Sequence, residues 1–529
     1  MKLLAFAALL PLAACVEPLV NVTANQYVGQ PLSNGVTQWL GMRYAAPPLG
    51  KLRFAPPQDP LFNPEPKQAN KNGKICLKTG VKPVNRTSED CLFLDVYAPT
   101  EATTESKLPV FVFIQGGGFN ANSNPNLKGN GLLAASNNSI VFVTFNYRVG
   151  AYGFLADGQN ITANNGLRDQ RKALEWVQRH IAKFGGDPGH VTIGGASAGA
   201  ASVSLHLMAR GGKDEGLFHA AAAGSVSFGT VLTVGESYYQ YDNLVKRLNC
   251  TGNDPLTCLR SISVSEIQEK DVNVPYPGAS RPPLFMWSPV IDNDLITELP
   301  YEAFRDGRFI KVPVIFGDDT DGGTVFAPGN TSTKNESNGW LRDQFPHLTN
   351  EQLAKLNGFY PNLDEKSCPR EGCWWRQLCR VYAEMRYMCP GLFLNDAFVR
   401  HNVNASYAYR WNVEDPQQIA AGVGVPHTVE VNALFGPDNV QDEAPESYFP
   451  NGTNAKAVKV IQGCWTSFIK TFNPDGLRYG DSAHWETWRS SPWSRLLFNT
   501  GGATSMERID SGLRERCEYL TSIGIALHQ

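Results

Sequence analysis

Nearly continuous apolar runs alternate along the chain with segments in which apolar residues recur at helical spacing. Residues 110–114 (Val-Phe-Val-Phe-Ile) and 140–145 (Ile-Val-Phe-Val-Thr-Phe) are runs of the length of a strand. Such runs are typical of strands that a sheet buries on both faces. Between residues 167 and 184 the apolar side chains recur every three or four positions, which predicts a long helix.

Later segments continue this alternation. Residues 312–316 and 406–411 have the composition of further strands. Residues 230–300 and 330–400 are richer in helical patterns and loops. The alternation predicts an α/β fold with a large, mostly parallel sheet covered by helices on both faces. The two helical and loop regions are expected to cap the carboxyl edge of the sheet and to shape a pocket there.

The amino terminus has the pattern of a secretory signal. Lys2 precedes a short apolar run that ends in small residues, and this run is too short to cross a bilayer. Cleavage is predicted after Cys15, so that residues 1–15 form the signal peptide. Residues 12–15 (Leu-Ala-Ala-Cys) also fit a bacterial lipoprotein signal that would lipidate Cys15, although the glycosylation sequences described below favour secretion.

The remainder of the chain, residues 16–529, is expected to form a single domain, because no repeat or long linker divides it. No later segment approaches twenty uninterrupted apolar residues, so stable membrane insertion is not expected. The 47 basic and 50 acidic residues nearly cancel and form no basic run. A nucleic-acid partner is therefore not expected either.

Cysteine number and sequons support an extracellular chain. Eleven cysteines become ten if Cys15 is removed, and an even number in a secreted protein indicates disulfides. No Cys-x-x-Cys pair or His-Glu-x-x-His helix is present, so neither a metal nor another cofactor is expected. Nine Asn-x-Ser/Thr sequences are candidate glycosylation sites, at Asn21, Asn85, Asn137, Asn160, Asn249, Asn330, Asn335, Asn404 and Asn451.

The most informative motif is Gly-Ala-Ser-Ala-Gly at residues 195–199. It follows an apolar segment that includes Ile193 and precedes a helix-forming run at residues 200–208. In a nucleophile elbow of this pattern, the serine sits on a tight strand-to-helix turn with its hydroxyl above the sheet. Ser197 is therefore predicted as a nucleophile.

Two further features complete an acyl-transfer site. Three consecutive glycines, residues 116–118, follow the 110–114 strand and can offer free N–H groups to an oxyanion. The predicted donors are the backbone N–H groups of Gly117, Gly118 and Ala198. His427 lies on a Gly/Pro loop after a strand and late in the chain, where the base of such sites occurs. It is the predicted base, with His484 and His528 as weaker alternatives.

These motifs together resemble the type-B carboxylesterase family of cholinesterases, fungal lipases and secreted esterases, and most nearly its secreted fungal carboxylesterases. The serine signature F-G-G-x4-V-x-I-x-G-x-S-x-G matches residues 184–199 at every position. Further matches lie at residues 41–48, 89–99, 146–148 and 165–170. The resemblance covers nearly the whole chain. It implies an α/β-hydrolase fold, an acylated Ser197, His427 as general base and the same oxyanion donors.

The resemblance also implies two disulfides, Cys76–Cys91 and Cys250–Cys258. The remaining six cysteines allow fifteen connectivities. Pairing of residues near in sequence suggests Cys368–Cys373 and Cys379–Cys389, which leaves Cys464 to pair with Cys517.

One position departs from the family. The family places the acid of the triad as Glu in a motif like G-x-x-x-D-E-G-T-x-F, and Gly322 occupies that position here. A histidine base needs an anion to hold its tautomer and stabilise the imidazolium. Asp321, one residue earlier, is the first candidate, and Asp319 is the second. The alternative, in which Ser197 and His427 act without a third member, stays open.

The substrate is expected to be a small to medium soluble ester. The loop inside the first implied disulfide, residues 77–90, is short and largely polar, unlike an apolar lipase lid, and holds no Trp to bind a quaternary ammonium. Candidate pocket residues, each of which also fits a core role, are Phe119, Phe228, Trp287, Phe326 and Trp411. Alternatives to hydrolysis are acyl transfer, lactonisation or a lyase step on the same scaffold. A catalytically impaired binding protein is less favoured.

Overall fold

The computed structural model describes residues 18–22, 25–362, 372–441 and 443–529. The predicted signal peptide and Cys15 lie outside these residues, as does Cys368. The strands are β1 Leu19–Val22, β2 Asn25–Val28, β3 Gln30–Pro31, β4 Val36–Arg43, β5 Asn63–Gln68, β6 Ile75–Cys76, β7 Thr87–Ser88, β8 Phe93–Pro99, β9 Leu108–Ile114, β10 Val141–Phe145, β11 Gly186–Ala196, β12 Ala220–Gly224, β13 Leu232–Thr233, β14 Val290–Ile291, β15 Val314–Asp319, β16 Ser406–Asn412, β17 Ser494–Asn499 and β18 Thr504–Arg508.

The α-helices are α1 Asn130–Ala135, α2 Gly150–Phe154, α3 Asn165–His180, α4 Ala198–Gly212, α5 Val234–Arg247, α6 Pro255–Ser261, α7 Val264–Lys270, α8 Pro300–Arg305, α9 Lys334–Gln344, α10 Asn350–Phe359, α11 Trp375–Ala383, α12 Cys389–Arg400, α13 Pro416–Ala420, α14 Glu430–Phe435, α15 Ala455–Thr471 and α16 Ser511–Gly524. A π-helical turn, Glu384–Met388, joins α11 to α12. Short 3-10 turns lie at Gly50–Leu52, Ile181–Phe184, Pro437–Asn439, Glu446–Tyr448, Thr500–Gly502 and Ile525–Leu527.

An 11-stranded sheet organises the described part of the chain, in the order β18-β17-β16-β15-β12-β11-β9-β10-β8-β4-β3. The strands from β17 to β10 in that order run parallel to their neighbours, and antiparallel strands complete both edges. The prediction of a large, mostly parallel sheet with helices on both faces is confirmed.

Alternating side chains of the central strands enter two different cores. Val110 and Val112 of β9 pack into the core on one face of the sheet, and Phe111 and Phe113 pack into the core on the other. Successive residues of a strand point to opposite faces, so a strand apolar at every position is buried on both. This is why the continuous apolar runs predict central strands correctly.

The two regions predicted to be helical hold α5–α8 and α9–α12. The second of these builds a separate apolar cluster that includes Trp340, Leu378 and Tyr382. From this cluster, Tyr387 on the π-helical turn reaches the ring of His427, with 4.3 Å between centroids. The region therefore contributes side chains at the carboxyl edge of the sheet, as expected.

Three disulfides join described cysteines: Cys76–Cys91, Cys250–Cys258 and Cys389–Cys517. The first two are those that the family resemblance implies. The predicted pairs Cys379–Cys389 and Cys464–Cys517 are wrong, because Cys389 pairs with Cys517. Cys379 and Cys389 are ten residues apart along continuous helix, or about 15 Å at ~1.5 Å per residue, too far for a disulfide.

The other cysteines differ in state. Cys373 is disulfide-bonded, and its predicted partner Cys368 lies outside the described residues. Cys464 is a buried thiol on α15, and burial raises its pKa to about 12. It is therefore an inert packing residue.

The candidate glycosylation sites lie on the surface of the protein. All nine asparagines of the candidate glycosylation sequences are exposed. None of the helices in the described part of the chain combines the length and the apolar character that crossing a bilayer requires.

Candidate active site

Ser197 lies at the turn between β11 and α4, near the middle of the sheet. Its backbone has φ 58° and ψ −124°, a conformation that non-glycine residues seldom adopt and that marks functional positions. A Cβ at Gly199 would lie 2.0 Å from the carbonyl oxygen of Ile114, so only glycine allows α4 to approach β9 this closely. The Ser197 N–H donates to the Gly224 carbonyl over 3.1 Å, which fixes the turn.

The glycine loop after β9 lies against the serine. A Cβ built on Gly116 would be 3.0 Å from the Cβ of Ser197. Within the described residues, the N–H groups of Gly117 and Gly118 donate no hydrogen bond. Asn120 holds the loop because its Nδ2 donates to the carbonyls of Gly118 and Trp287, at 2.7 and 2.6 Å. The loop thus keeps two donors free beside Ser197.

Ala198, the third predicted donor, is the first residue of α4. The first N–H groups of a helix have no intrahelical acceptor and carry the positive end of the helix dipole. Ala198 thus follows Ser197 directly, and Gly117 and Gly118 belong to the loop that contacts Ser197 through Gly116. The role of all three as oxyanion donors stays a prediction.

His427 lies on the loop between α13 and α14 and is half-buried. Its ring lies 4.3 Å from that of Tyr387 and 5.0 Å from that of Phe326, between centroids. Both ring nitrogens are shielded from solvent and have no hydrogen-bond partner among the described residues, Ser197 included. Burial, and secondarily the charge of Arg386, lowers the pKa of His427 to about 3.

The two aspartates proposed as the third member bind the His427 loop through its backbone. Asp321 Oδ2 accepts from Val425 N over 2.9 Å. Asp319 Oδ2 accepts from Thr428 N over 2.7 Å and from Ser225 Oγ over 2.9 Å. Thr428 has φ +61°, which is strained for a β-branched residue. Neither carboxylate is hydrogen-bonded to the His427 ring in this structure, so the role of Asp321 as acid stays a prediction.

Gly322 leaves space beside the imidazole. A Cβ built there would lie 4.0 Å from His427 Nδ1 and from Asp318 Oδ1, and 3.7 Å from the Asp319 carbonyl oxygen. These are ordinary van der Waals distances. The φ of Gly322 lies outside the left-handed region, so a side chain is sterically allowed at this position.

Three buried carboxyl groups, Asp318, Asp319 and Glu430, lie beneath the loop. Burial raises the pKa of all three, and the mutual repulsion of Asp319 and Glu430 raises that of Asp319 further. Neighbouring like charges raise each other's cost of ionisation, so this environment favours a protonated carboxyl group in the Asp319–Glu430 pair. Tyr409 Oη donates to Glu430 Oε1 over 3.3 Å.

The predicted pocket aromatics fall into two groups. Phe119 and Phe228 line a cavity beside Gly118, and Phe326 contacts the His427 ring. Trp411 is fully buried in the core. Trp287 is also core, with Nε1 donating to Asp271 Oδ1 over 2.6 Å. Both tryptophans are therefore packing residues rather than pocket residues.

Sequence reasoning missed two residues at this site, Arg386 and Tyr387. Both lie on the π-helical turn, and a π-bulge often marks a functional site. No motif surrounds them, and the unusual turn is visible only in the structure. The sequence contains a weak indication of Glu430, because this acidic residue stands only three positions after His427, at the start of α14.

A possible metal-ligating group lies elsewhere. Glu236, His347 and His528 place their donor atoms within 4.8 Å of one another at the surface, the only such group in the described ranges. The imidazoles are stacked with centroids 3.9 Å apart, so their nitrogen lone pairs do not converge on a single tetrahedral position. We assign it no metal.

The chain matches known proteins over nearly its full length. The profile of the carboxylesterase family matches residues 18–516. Secreted lipase 4 of Gibberella zeae is 29% identical over 509 residues, which cover 92% of this chain and 88% of that protein. The cholinesterase of Mus musculus is 31% identical over 521 residues, covering 92% of this chain and 83% of that enzyme.

A solved structure resembles the whole molecule. That of EstA from Aspergillus niger superimposes with a TM-score of 0.93 and 41% sequence identity, and the match covers 97% of this chain and 99% of that one. With the family profile and the parallel sheet, this match confirms the α/β-hydrolase fold. The chain therefore belongs to the carboxylesterase family and is an ester-hydrolysing enzyme.

Proposed function

We propose that this enzyme is a secreted carboxylesterase that hydrolyses small to medium soluble esters through an acyl-enzyme on Ser197. The observation that carries the proposal is the strained Ser197 turn with the glycine loop against it and two unused N–H groups beside it. Such donors stabilise the negative charge that develops on an attacked carbonyl oxygen.

The proposed reaction has two steps. Ser197 Oγ attacks the ester carbonyl while His427 removes its proton, and Gly117, Gly118 and Ala198 donate to the oxyanion. The C–O bond to the alcohol then breaks, and His427 returns the proton to the leaving oxygen. Water, activated in the same way, releases the acid and restores Ser197.

The proposed triad differs from the usual arrangement in its third member, the acid. The contacts of Asp319 and Asp321 support a positioning role, because each carboxylate holds the backbone of the loop that carries His427. An imidazolium without an adjacent carboxylate is poorly stabilised. We therefore propose a modest rate on ordinary esters.

Size preference and location rest on separate observations. The short polar loop closed by Cys76–Cys91 supports soluble substrates. Disulfides persist in oxidising compartments, and the exposed sequons and a relative named a secreted lipase agree with secretion.

The proposal is tested by fluorophosphonate labelling together with hydrolysis of p-nitrophenyl acetate, butyrate and decanoate. We expect one label per chain, mapped by mass spectrometry to the peptide of Ser197, and faster turnover of the two short esters. An added alcohol acceptor distinguishes hydrolysis from acyl transfer through the products. Absence of both labelling and turnover above background would overturn the proposal.

The pH dependence follows from the environment of His427. A base must be neutral to accept a proton, and His427 is neutral above its pKa of about 3. We expect kcat/KM to stay nearly constant from pH 7 to about 4, whereas an unperturbed histidine, with a pKa of about 6.5, would lose about tenfold per pH unit below that value.

This profile is measured with p-nitrophenyl acetate at the isosbestic wavelength of nitrophenol. Circular dichroism at each pH checks that the fold is intact. An acid limb centred near the ordinary histidine value in a folded enzyme would contradict the prediction.

A further inference from the structure

Arg386 is a half-buried cation beside the glycine loop. Its Nε donates to Ser227 Oγ over 3.0 Å. Among the described residues, no Asp or Glu lies within ion-pair distance of its guanidinium. The residue lies on the π-helical turn Glu384–Met388.

Several other enclosed arginines are paired with a carboxylate. Arg53 binds Glu89, Arg148 binds Asp169 and Arg516 binds Glu384, each through two hydrogen bonds of 2.6 to 2.8 Å. At these three positions a carboxylate neutralises a guanidinium that is removed from water, as desolvation requires. Arg386 has no such pair among the described residues, and unlike Arg247 and Arg260, which donate to backbone carbonyls, it lines a cavity.

The side chains that face Arg386 in the described part of the chain are aromatic or neutral. Its Cζ lies 5.5 Å from the ring centroid of Phe285 and 5.9 Å from that of Tyr382. Tyr276, Tyr382 and Tyr387 also face it, but burial raises the pKa of all three, so they are neutral at physiological pH. His427, whose pKa the charge of Arg386 helps to lower, is neutral as well.

The guanidinium faces the cavity that adjoins the oxyanion loop. This cavity opens to solvent and has a free volume of about 40 Å³; its lining includes Gly118, Phe119, Ser227, Phe228, Phe285 and Arg386. Gly229 allows the guanidinium to sit against the backbone, because a Cβ there would lie 2.8 Å from Nη1. Gly118, one of the predicted oxyanion donors, and Arg386 therefore line the same cavity.

We propose that Arg386 binds a carboxylate of the substrate, so that the preferred substrates are esters that carry a free carboxylate. The guanidinium presents paired donors that match a carboxylate. This inference rests on the proposed esterase function and names its substrate class. The bond that breaks is still the ester C–O bond, and the second carboxylate is bound but not altered.

The same carboxylate would assist catalysis. Arg386 is one of the two causes that lower the pKa of His427. A bound anion offsets that positive charge and makes the imidazole a stronger base. Anionic esters are therefore expected to have a higher kcat as well as a lower KM than neutral esters. The effect on kcat matters here because the site lacks the family's glutamate.

The first test compares matched esters with the wild-type enzyme. On the acyl side, the pair is p-nitrophenyl monoadipate and p-nitrophenyl hexanoate. On the alcohol side, it is 4-acetoxybenzoate and its methyl ester. We expect kcat/KM for the anionic member of one pair to be higher by about tenfold or more, and the pair that responds identifies the side bound by Arg386. No anionic preference in either pair would overturn the proposal.

The second test follows the ratio of anionic to neutral kcat/KM in variants. Arg386→Gln is expected to reduce the ratio by about tenfold or more, and Arg386→Lys to retain part of it, because lysine keeps the charge but not the fork. Arg400→Gln is a matched control, since Arg400 is half exposed and paired with Asp396, and its ratio should equal that of wild type. An unchanged ratio in a folded Arg386→Gln variant would also overturn the proposal.

The two proposals fail in different ways. If Ser197 is not labelled and neither ester of any pair is hydrolysed, the esterase function itself is wrong. If neutral esters are hydrolysed at Ser197 without anionic preference, only the role of Arg386 is wrong. If Arg386→Gln fails to fold, the comparison of anionic and neutral esters with the wild-type enzyme still tests the proposal.

Discussion

Ser197→Ala is expected to lower kcat for p-nitrophenyl acetate by about 10²-fold. In subtilisin, loss of the whole triad costs about 2 × 10⁶ and loss of its Asp alone about 3 × 10⁴. The serine in an enzyme already without an effective acid is thus worth roughly the ratio of these numbers. Among the described residues, no carboxylate is hydrogen-bonded to the His427 ring. We therefore compare this enzyme with subtilisin that has lost its Asp.

The size of the loss is therefore diagnostic. A fall near 10⁶ would mean that a carboxylate reaches His427 during the reaction, and Asp321→Asn would then show whether Asp321 is that group. Ser204→Ala is the matched control, since Ser204 lies on the same helix with its hydroxyl bonded to the Ala200 carbonyl. Activity of Ser197→Ala equal to that of wild type would contradict a role for Ser197 as nucleophile.

The elements that the sequence predicts correctly are those determined by local pattern. The strands β9 and β10 follow from continuous apolar runs, and α3 follows from helical spacing. The turn at Ser197 follows from glycines that nothing larger can replace. In each case the physical requirement acts between residues close in sequence.

The predictions that are wrong or missing depend on contacts between distant segments. Cys389 pairs with Cys517 across 128 residues because α12 packs against α16. Arg386 has no motif, and that no described carboxylate pairs with it is visible only from the structure. The hydrogen bond of Asp321 to Val425 likewise spans 104 residues, which neighbouring sequence does not specify.

Gly322→Glu is expected to raise kcat on neutral short esters by up to about 10⁴-fold, the amount that a triad acid contributes elsewhere. The new Cβ would lie 4.0 Å from His427 Nδ1 with no neighbour closer than 3.7 Å. A glutamate there reaches Nδ1, fixes the tautomer and stabilises the imidazolium. The opposing effect is repulsion from Asp318, whose Oδ1 also lies 4.0 Å from that Cβ.

The magnitude and the pH profile separate these effects. Burial already raises the pKa of Asp318, which favours its neutral form and limits the repulsion. A glutamate anion raises the pKa of His427, so the acid limb of kcat/KM should move to higher pH together with the gain in kcat. Gly322→Gln has the same shape without the charge and should produce neither change. A folded Gly322→Glu enzyme with unchanged kcat and an unchanged acid limb would mean that His427 already has an effective anion, which would restore Asp321 or Asp319 as the acid.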